Sequence, residues 1–494
     1  MRAAFLLAAL AACATAAPSP PPVAPAAAVA PAPSWVHTPP PPPLAPLAAV
    51  APAVTRAALE TGLRVVLVEH HARPVVTVNL VLSHGALSDP SDNAGLTYLA
   101  VKLASDFYEP MGVNDDQSDE RSFRGRIADM GGWANFDVES DYSMVQLAGY
   151  ARDTASYLKM VAEAVREPRH GNGSFKARRD AALDALESVE SEDPEALSQL
   201  IAKSAFGPQH PYARSLLGTT ASLGAVELQE VMEHQHVVFV PEGATLLIVG
   251  DVRPAETLAA VRKWLGNWQG WKDLHPMPRV SSPSLPRASA EIGFLERHGA
   301  GTLLTCAMRP LPEVTGADPA LRVLAGVFGG GMGSRLGNAL RENNGLTYGA
   351  RADIVRRRQA TALIACSPLQ GEKAELGVRL FREVVEQLGD SPPTADEVKR
   401  AKSLALAELD SSNDDAESMT REWLRAITME NGAPRLAQDS AAIERVTLAE
   451  VQKLAQQIFK LKTFRWVVSG DPGAAKQAFE APGLGKLKPF APGG

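Results

Sequence analysis

Two stretches lying 220 residues apart carry the fold of this chain: AVELQEVMEHQHVVFVPEGATLLIVGD (225–251) and RVTLAEVQKLAQQIFKLKTFRWVVSGD (445–471). At that constant offset the pairs Val226/Val446, Leu228/Leu448, Glu230/Glu450, Val231/Val451, Phe239/Phe459, Gly250/Gly470 and Asp251/Asp471 are identical. Each stretch reads as an amphipathic helix, a short break and an apolar strand that closes on Gly-Asp. One ungapped register with the same pattern in both copies points to a duplication. A period this long means two homologous domains and not a solenoid.

The segments upstream of each copy also correspond. In the first half LRVVLVEH and VVTVNLVLSHG read as strands, followed by helical AGLTYLAVKLASDFY. In the second, AEIGFLERHG and TLLTCAMRP read as strands, followed by helical ALRVLAGVFGG. Strands followed by groups of helices predict α+β layers, each domain a mostly antiparallel sheet with helices on one face. The Pro-rich HPMPRVSSPSLPR separates the halves. The expected division is a first domain over 55–272, a linker over 273–287, a second domain over 288–480 and a tail over 481–494.

The chain has 494 residues, 45 % hydrophobic, enough for more than one core because single cores stop growing near ~250–300 residues. Net charge is −7 with no basic stripe interleaved with aromatics, which argues against nucleic-acid binding. Residues 1–17 read as an export signal, with Arg2 before an apolar run from Ala3 to Ala12. Leu10-Ala11-Ala12-Cys13 resembles a lipobox that would leave Cys13 acylated. Cleavage among Ala14 to Ala17 is the other processing route. Both send the chain out of the cytoplasm, to the periplasm or to a lipid anchor on the outer membrane. Residues 18–54 hold 14 of the 38 prolines, so they read as an extended spacer.

Cys306 and Cys366 lie in apolar strand-like runs, where buried free thiols are the default expectation and a disulfide is possible in an oxidising compartment. His70-His71 and His234-x-His236 lack an identifiable third metal ligand, so surface or capping roles are expected. The acidic run Glu187 to Glu195 reads as a solvated helix end and turn.

Six segments, in this order and spacing, resemble the insulinase (pitrilysin) family, in particular its mitochondrial-processing-peptidase-like branch. They are SHGALSDPSDNAGLTYL (83–99), MGGWANFDVESDY (130–142), HPYARSLLGT (210–219), VPEGATLLIVGDV (240–252), FGGGMGSRLGNALRENNGLTYG (328–349) and VVSGDP (467–472). Active members of that family carry His-x-x-Glu-His on the helix of the first half, plus a distal glutamate. Two histidines at i and i+4 share a helix face and bind Zn²⁺, and the intervening Glu takes a proton from metal-bound water. The resemblance puts Tyr98 and Lys102 at the two His positions, Val101 at the Glu position and Ala185 at the distal glutamate, with Asp184 or Glu187 reached by a small shift of register. Lysine is protonated near neutral pH, and valine accepts no proton. The zinc site is therefore expected to be degenerate, with Leu96, Leu99, Leu103 and Phe107 forming a buried stripe on a structural helix.

The second half keeps what the first has lost. After Gly329, Gly330, Gly331, Met332 and Gly333 comes Arg341, and seven residues later Tyr348. In this family that pair reaches toward the zinc of another half. The resemblance implies that Arg341 binds a backbone carbonyl of a peptide and that Tyr348 hydrogen-bonds the scissile oxygen as it becomes an oxyanion. It implies a heterodimer in which this chain binds no cofactor and a His-x-x-Glu-His partner supplies the zinc for peptide hydrolysis. An inert scaffold, or an envelope protein that captures peptides without cutting them, is the alternative. A scaffold has no chemical need for the Arg/Tyr pair.

Overall fold

The computed structural model describes residues 52–490 except 91, 107–122, 167–170, 188–193, 271–290, 313, 315–317, 332, 412–414 and 431–435. The signal segment with Cys13, most of the proline-rich spacer, the 273–287 linker, Phe107 and Met332 therefore lie outside the described residues. No helix among the described residues is long and apolar enough to cross a membrane.

The first half runs β1 (Val54–Ala58), β2 (Arg64–Glu69), β3 (Val75–Leu82), α1 (Leu96–Ala104), α2 (Phe123–Asp129), β4 (Trp133–Val138) and β5 (Ser143–Tyr150). It continues with α3 (Thr154–Arg166), α4 (Asn172–Glu187), α5 (Pro194–Phe206), α6 (Leu228–Val238), β6 (Thr245–Gly250) and α7 (Pro254–Leu265). The second half runs β7 (Glu291–Glu296), β8 (Thr302–Pro310), α8 (Pro319–Gly329), β9 (Arg351–Arg357), β10 (Ala360–Gln370) and α9 (Ala374–Asp390). After these come α10 (Ala395–Asp410), α11 (Ala416–Glu430), α12 (Leu448–Ile458), β11 (Arg465–Gly470) and β12 (Lys486–Pro489).

Each half is a six-stranded, mostly antiparallel sheet, ordered β1-β2-β6-β3-β5-β4 in the first and β12-β7-β11-β8-β10-β9 in the second. From the second place onward the two orders are the same list of corresponding strands. Only the outer flank differs. There β1 comes from the start of the chain and pairs antiparallel, whereas β12 comes from the end and pairs parallel. β12 thus recruits part of the stretch read as a tail into the sheet.

The repeat seen in the sequence is realised element for element. α6 and α12 begin and end at the same offset, as do β6 and β11. Both helices start with a capping box whose third residue is Glu230 or Glu450. Both strands end on a glycine at positive φ, 142° at Gly250. A Cβ there would lie 2.2 Å from the carbonyl oxygen of Val75, so the close approach of β3 demands glycine.

Own helices cover one face of each sheet, as expected. In the first half Leu246 and Ile248 of β6 pack with Tyr157 and Leu158 of α3 and Val261 of α7. The opposite faces are buried too, and by helices exchanged between the halves. α11 of the second half lays Met419, Trp423, Leu424 and Ile427 on Leu247 and Val249 of β6. Reciprocally, α5 of the first half sets Leu197, Leu200 and Phe206 against Met308 of β8, Ile364 of β10 and Val467 of β11. This explains why Leu246-Leu247-Ile248-Val249 is continuously apolar: a strand buried on both faces has no polar side to alternate with.

Cys306 and Cys366 are register partners on β8 and β10 and are joined in a disulfide, which corrects the expectation of free thiols. Facing residues of an antiparallel pair bring their Cβ atoms within ~4.5–5.5 Å, so two cysteines there need little movement to bond.

Polar contacts also lock the halves together. Arg357 Nη1 donates to Glu139 Oε2 at 2.7 Å. Asp141 accepts from the Tyr212 hydroxyl at 2.7 Å and from the backbone N–H of Arg358 at 3.0 Å. Burial opposes ionisation of Glu139, yet the Arg357 guanidinium beside it brings its pKa down to about 2.

Candidate functional site

α1 starts where Asp89 caps it, its two carboxylate oxygens accepting from the backbone N–H of Gly95 at 2.8 Å and of Thr97 at 2.7 Å. Gly95 sits at φ 93°, with no room for a Cβ against the Leu217 carbonyl. His234, for which a surface or capping role is expected, is buried: its Nε2 is hydrogen-bonded to Thr97 Oγ1 at 2.8 Å and lies 3.5 Å from Asp89. It braces the start of α1. His71 is exposed and pairs with Asp251 at 2.7 Å, a contact that raises its pKa.

From there the helix buries two sides. Leu96, Leu99 and Leu103 face α4 and α6, with Tyr98 and Ala185 packed on the same cluster. Val101 and Ala104 face the sheet. Lys102 turns toward the edge strand β4, donating to the Phe136 carbonyl and lying over the Tyr98 ring, with Nζ 5.5 Å from its centroid. The end of α1 is fastened to α4 by Arg178, which grips both oxygens of Asp106 and donates to Ser105 Oγ at 3.2 Å.

The positions that the resemblance assigns to three zinc ligands and a general base thus carry a phenol packed among apolar side chains, an ammonium and a methyl group, with a buried valine in place of the base. One of the four is a cation already committed to a carbonyl. This donor set does not fit Zn²⁺. Among the described residues no three His, Cys, Asp or Glu side chains cluster as metal ligands would.

The Arg341–Tyr348 segment is built differently. α8 ends in the glycine run, where a Cβ on Gly329 would lie 2.6 Å from the backbone nitrogen of Ala352 on β9. Gly331 takes φ 132°. Arg335 then anchors the chain. Its Nε and Nη2 reach Glu397 at 2.8 and 3.0 Å, and its Nη1 donates to the Ser391 carbonyl at 2.8 Å. Burial alone would raise the Glu397 pKa, but hydrogen bonds from Arg335 and from Thr394 at the start of α10 pull it down to about 2.

Gly337–Glu342 is a π-helical turn. Such a turn holds one more residue than an α-turn, is uncommon and recurs at functional sites. Leu340 and Leu346 are buried, and Leu346 N–H donates to the Leu340 carbonyl at 2.8 Å, closing the loop between them. Thr347 Oγ1 brackets the next residue by bonding both the N–H and the carbonyl of Gly349.

On this fixed backbone the two side chains point outward. Tyr348 is 85 % exposed, the most exposed large hydrophobic among the described residues, and its hydroxyl has no partner there. Arg341 is 44 % exposed, and among the described residues its side chain meets only its neighbour Glu342, at 3.5 Å. One guanidinium and one phenol held on an ordered loop are two donors offered to a ligand. Sequence reasoning missed Arg335, Asp89 and Arg178. Arg335 lies six residues before Arg341, but nothing in the sequence pairs it with Glu397.

Two family descriptions match: "Insulinase (Peptidase family M16)" over residues 64–220 and "Peptidase M16 inactive domain" over 225–404. Among curated relatives, an uncharacterized zinc protease of Mycobacterium leprae is 24 % identical over 427 residues, 86 % of this chain and 93 % of that protein. The uncharacterized zinc protease YmxG of Bacillus subtilis is 20 % identical over 60 % of this chain and 68 % of its own length. A protease from Helicobacter pylori superposes with a TM-score of 0.71 at 16 % identity, covering 85 % of this chain and 99 % of that one. The peptidase M16 inactive domain from Pseudomonas fluorescens gives 0.71 at 18 %, over 85 % and 98 %. At these identities the structural likeness speaks for the fold.

Proposed function

The chain belongs to the insulinase (M16) family, and from that premise we propose that it is the zinc-less, substrate-binding subunit of a two-chain metallopeptidase. The observation that carries the reading is the opposite fate of two sites in one chain. The positions assigned to the zinc site are filled by Tyr98, Val101, Lys102 and Ala185, whereas among the described residues Arg341 meets only its neighbour Glu342 and the Tyr348 hydroxyl meets nothing. A partner of the same family bearing His-x-x-Glu-His would supply the metal.

In that complex Arg341 donates to a backbone carbonyl of the peptide and holds it in register. Tyr348 donates its O–H to the scissile carbonyl oxygen, whose negative charge grows as the tetrahedral intermediate forms. A donor aimed at developing charge is worth ~3–4 kcal/mol, or ~10²–10³ in rate. On this reading the peptide would lie along β4, which among the described residues ends its sheet and pairs only with β5, since such an edge accepts an extended strand through its backbone.

Residues 1–17 would export the chain, with Cys13 as the candidate lipid attachment. The Cys306–Cys366 disulfide supports a destination outside the cytoplasm, where such bonds persist.

The test is reconstitution. A pull-down from the native envelope supplies the companion bearing His-x-x-Glu-His, and peptide cleavage is measured for each chain and for the mixture. Cleavage by the mixture alone, lost on Tyr348→Phe, supports the proposal. A native companion without that motif favours the scaffold reading.

A further inference from the structure

Lys102 puts a cation where the zinc ligands would be. It lies in a cleft with Ser105, Phe123, Arg124 and Asn135, beside β4, an edge strand of its sheet among the described residues. Its side chain is 24 % exposed, so the ammonium can be reached from solvent. Of its three N–H donors one goes to the Phe136 carbonyl. Asp137 Oδ1 forms an ion pair with the ammonium at 3.7 Å, and the other oxygen of Asp137 accepts from Asn135 Nδ2 at 2.6 Å. Arg124 on α2 is exposed and has no hydrogen-bond or ion-pair partner among the described residues. Arg178 is neutralised by Asp106. Among the described residues two cations face one carboxylate, a surplus of positive charge that is partly desolvated.

Burial is the main influence on Lys102 and lowers its pKa; Asp137 offsets part of this, and Arg178 and Arg124 lower it further. An anion entering the cleft would relieve that cost, and partly buried charge-assisted hydrogen bonds are the strong ones. The occupant best suited to a cation beside an unpaired strand edge is the acidic end of an extended chain.

We propose that the cleft between α1, α2 and β4 binds a peptide carboxylate through Lys102 and Arg124, so that this chain prefers peptides with a free carboxyl over β4. The carboxylate is the peptide's C-terminus or an acidic side chain. This preference rests on the peptide-binding reading above and adds a selectivity to it.

The test uses the full chain and fluorescence anisotropy at low ionic strength with three N-terminally labelled peptides of one neutral sequence. One carries a free C-terminus, one a C-terminal amide, and one an amide plus a single internal Glu. The free acid, the Glu peptide or both should bind at least about tenfold more tightly than the neutral amide, which identifies the carboxylate's source. Lys102→Met should abolish the difference while Lys102→Arg keeps most of it. Arg124→Ser, at an exposed position, should reduce it a few-fold even if the Lys102 variants fold poorly. Equal binding of all three peptides overturns this inference but leaves the peptide-binding reading standing, as does a preference that survives both Lys102→Met and Arg124→Ser. Binding of none of them overturns both.

Discussion

Replacing Arg335 by Ala should destabilise the second half and release the loop that presents Arg341. Arg335 makes two charge-assisted bonds to Glu397, at 2.8 and 3.0 Å, and caps the Ser391 and Pro392 carbonyls at 2.8 and 3.3 Å. Both side chains are 16 % exposed. Removing one member of a buried pair costs ~3–5 kcal/mol, because the other is left uncompensated, and residual solvent contact screens that to about 2–3 kcal/mol. For a unit of this size that corresponds to a fall in Tm of about 5 °C or more.

The same pair fixes an acid limb. The Glu397 pKa falls to about 2 in the folded protein, against ~4.3 in an unfolded chain. Between those values the unfolded chain binds more protons, so stability rises with pH there. The contribution, on the order of 2 kcal/mol after screening, is complete above ~4.3 and lost as pH falls toward 2. In Arg335→Ala the Glu397 carboxylate loses its main partner and the limb should flatten. Thermal melts of both proteins from pH 7 to pH 3, with hydrogen exchange of amides 336–348, read all three effects. A variant within 0.5 kcal/mol of the parent, with an unchanged acid limb and unchanged protection, would refute the anchoring argument.

Trp423→Ala empties the α11 seat on the first sheet and should cost about 3–5 kcal/mol in urea unfolding, with both halves loosened because the helix is exchanged between them. Gly250→Ala, at φ 142° and facing the Val75 carbonyl, should be destabilising by roughly 2 kcal/mol or more in the same assay. Tyr348→Phe should leave Tm unchanged, since the hydroxyl has no partner among the described residues, yet lower kcat/KM of the reconstituted enzyme by ~10²–10³. An equal loss of stability would mean that Tyr348 is structural.

Local pattern carried much of the architecture. The matched Leu228/Leu448, Glu230/Glu450 and Gly250/Gly470 pairs marked equivalent helix starts and strand ends because capping and close backbone approach are decided within a few residues. The unbroken apolar run Leu246–Val249 was legible as a strand, but not that it is buried on both faces, with α11, some 170 residues later, covering one of them. Helix exchange depends on how whole halves pack, which periodicity cannot report. The disulfide escaped for a related reason. Cys306 and Cys366 meet only in the register adopted by β8 and β10, and a slip of one residue would put them on opposite faces. At the candidate site, residue identity was enough to see that Val101 accepts no proton and that Ala185 cannot bind metal. The partners of Lys102, namely Phe136, Asp137 and Tyr98, required the fold, since β4 lies about thirty residues away.

The central claim is a division of labour, with no peptide-bond cleavage by this chain alone. The most direct measurement is hydrolysis of an unfolded peptide by the purified full-length chain in zinc-containing buffer, followed with and without a chelator. The account predicts no turnover in either condition. Chelator-sensitive cleavage by the isolated chain would contradict it.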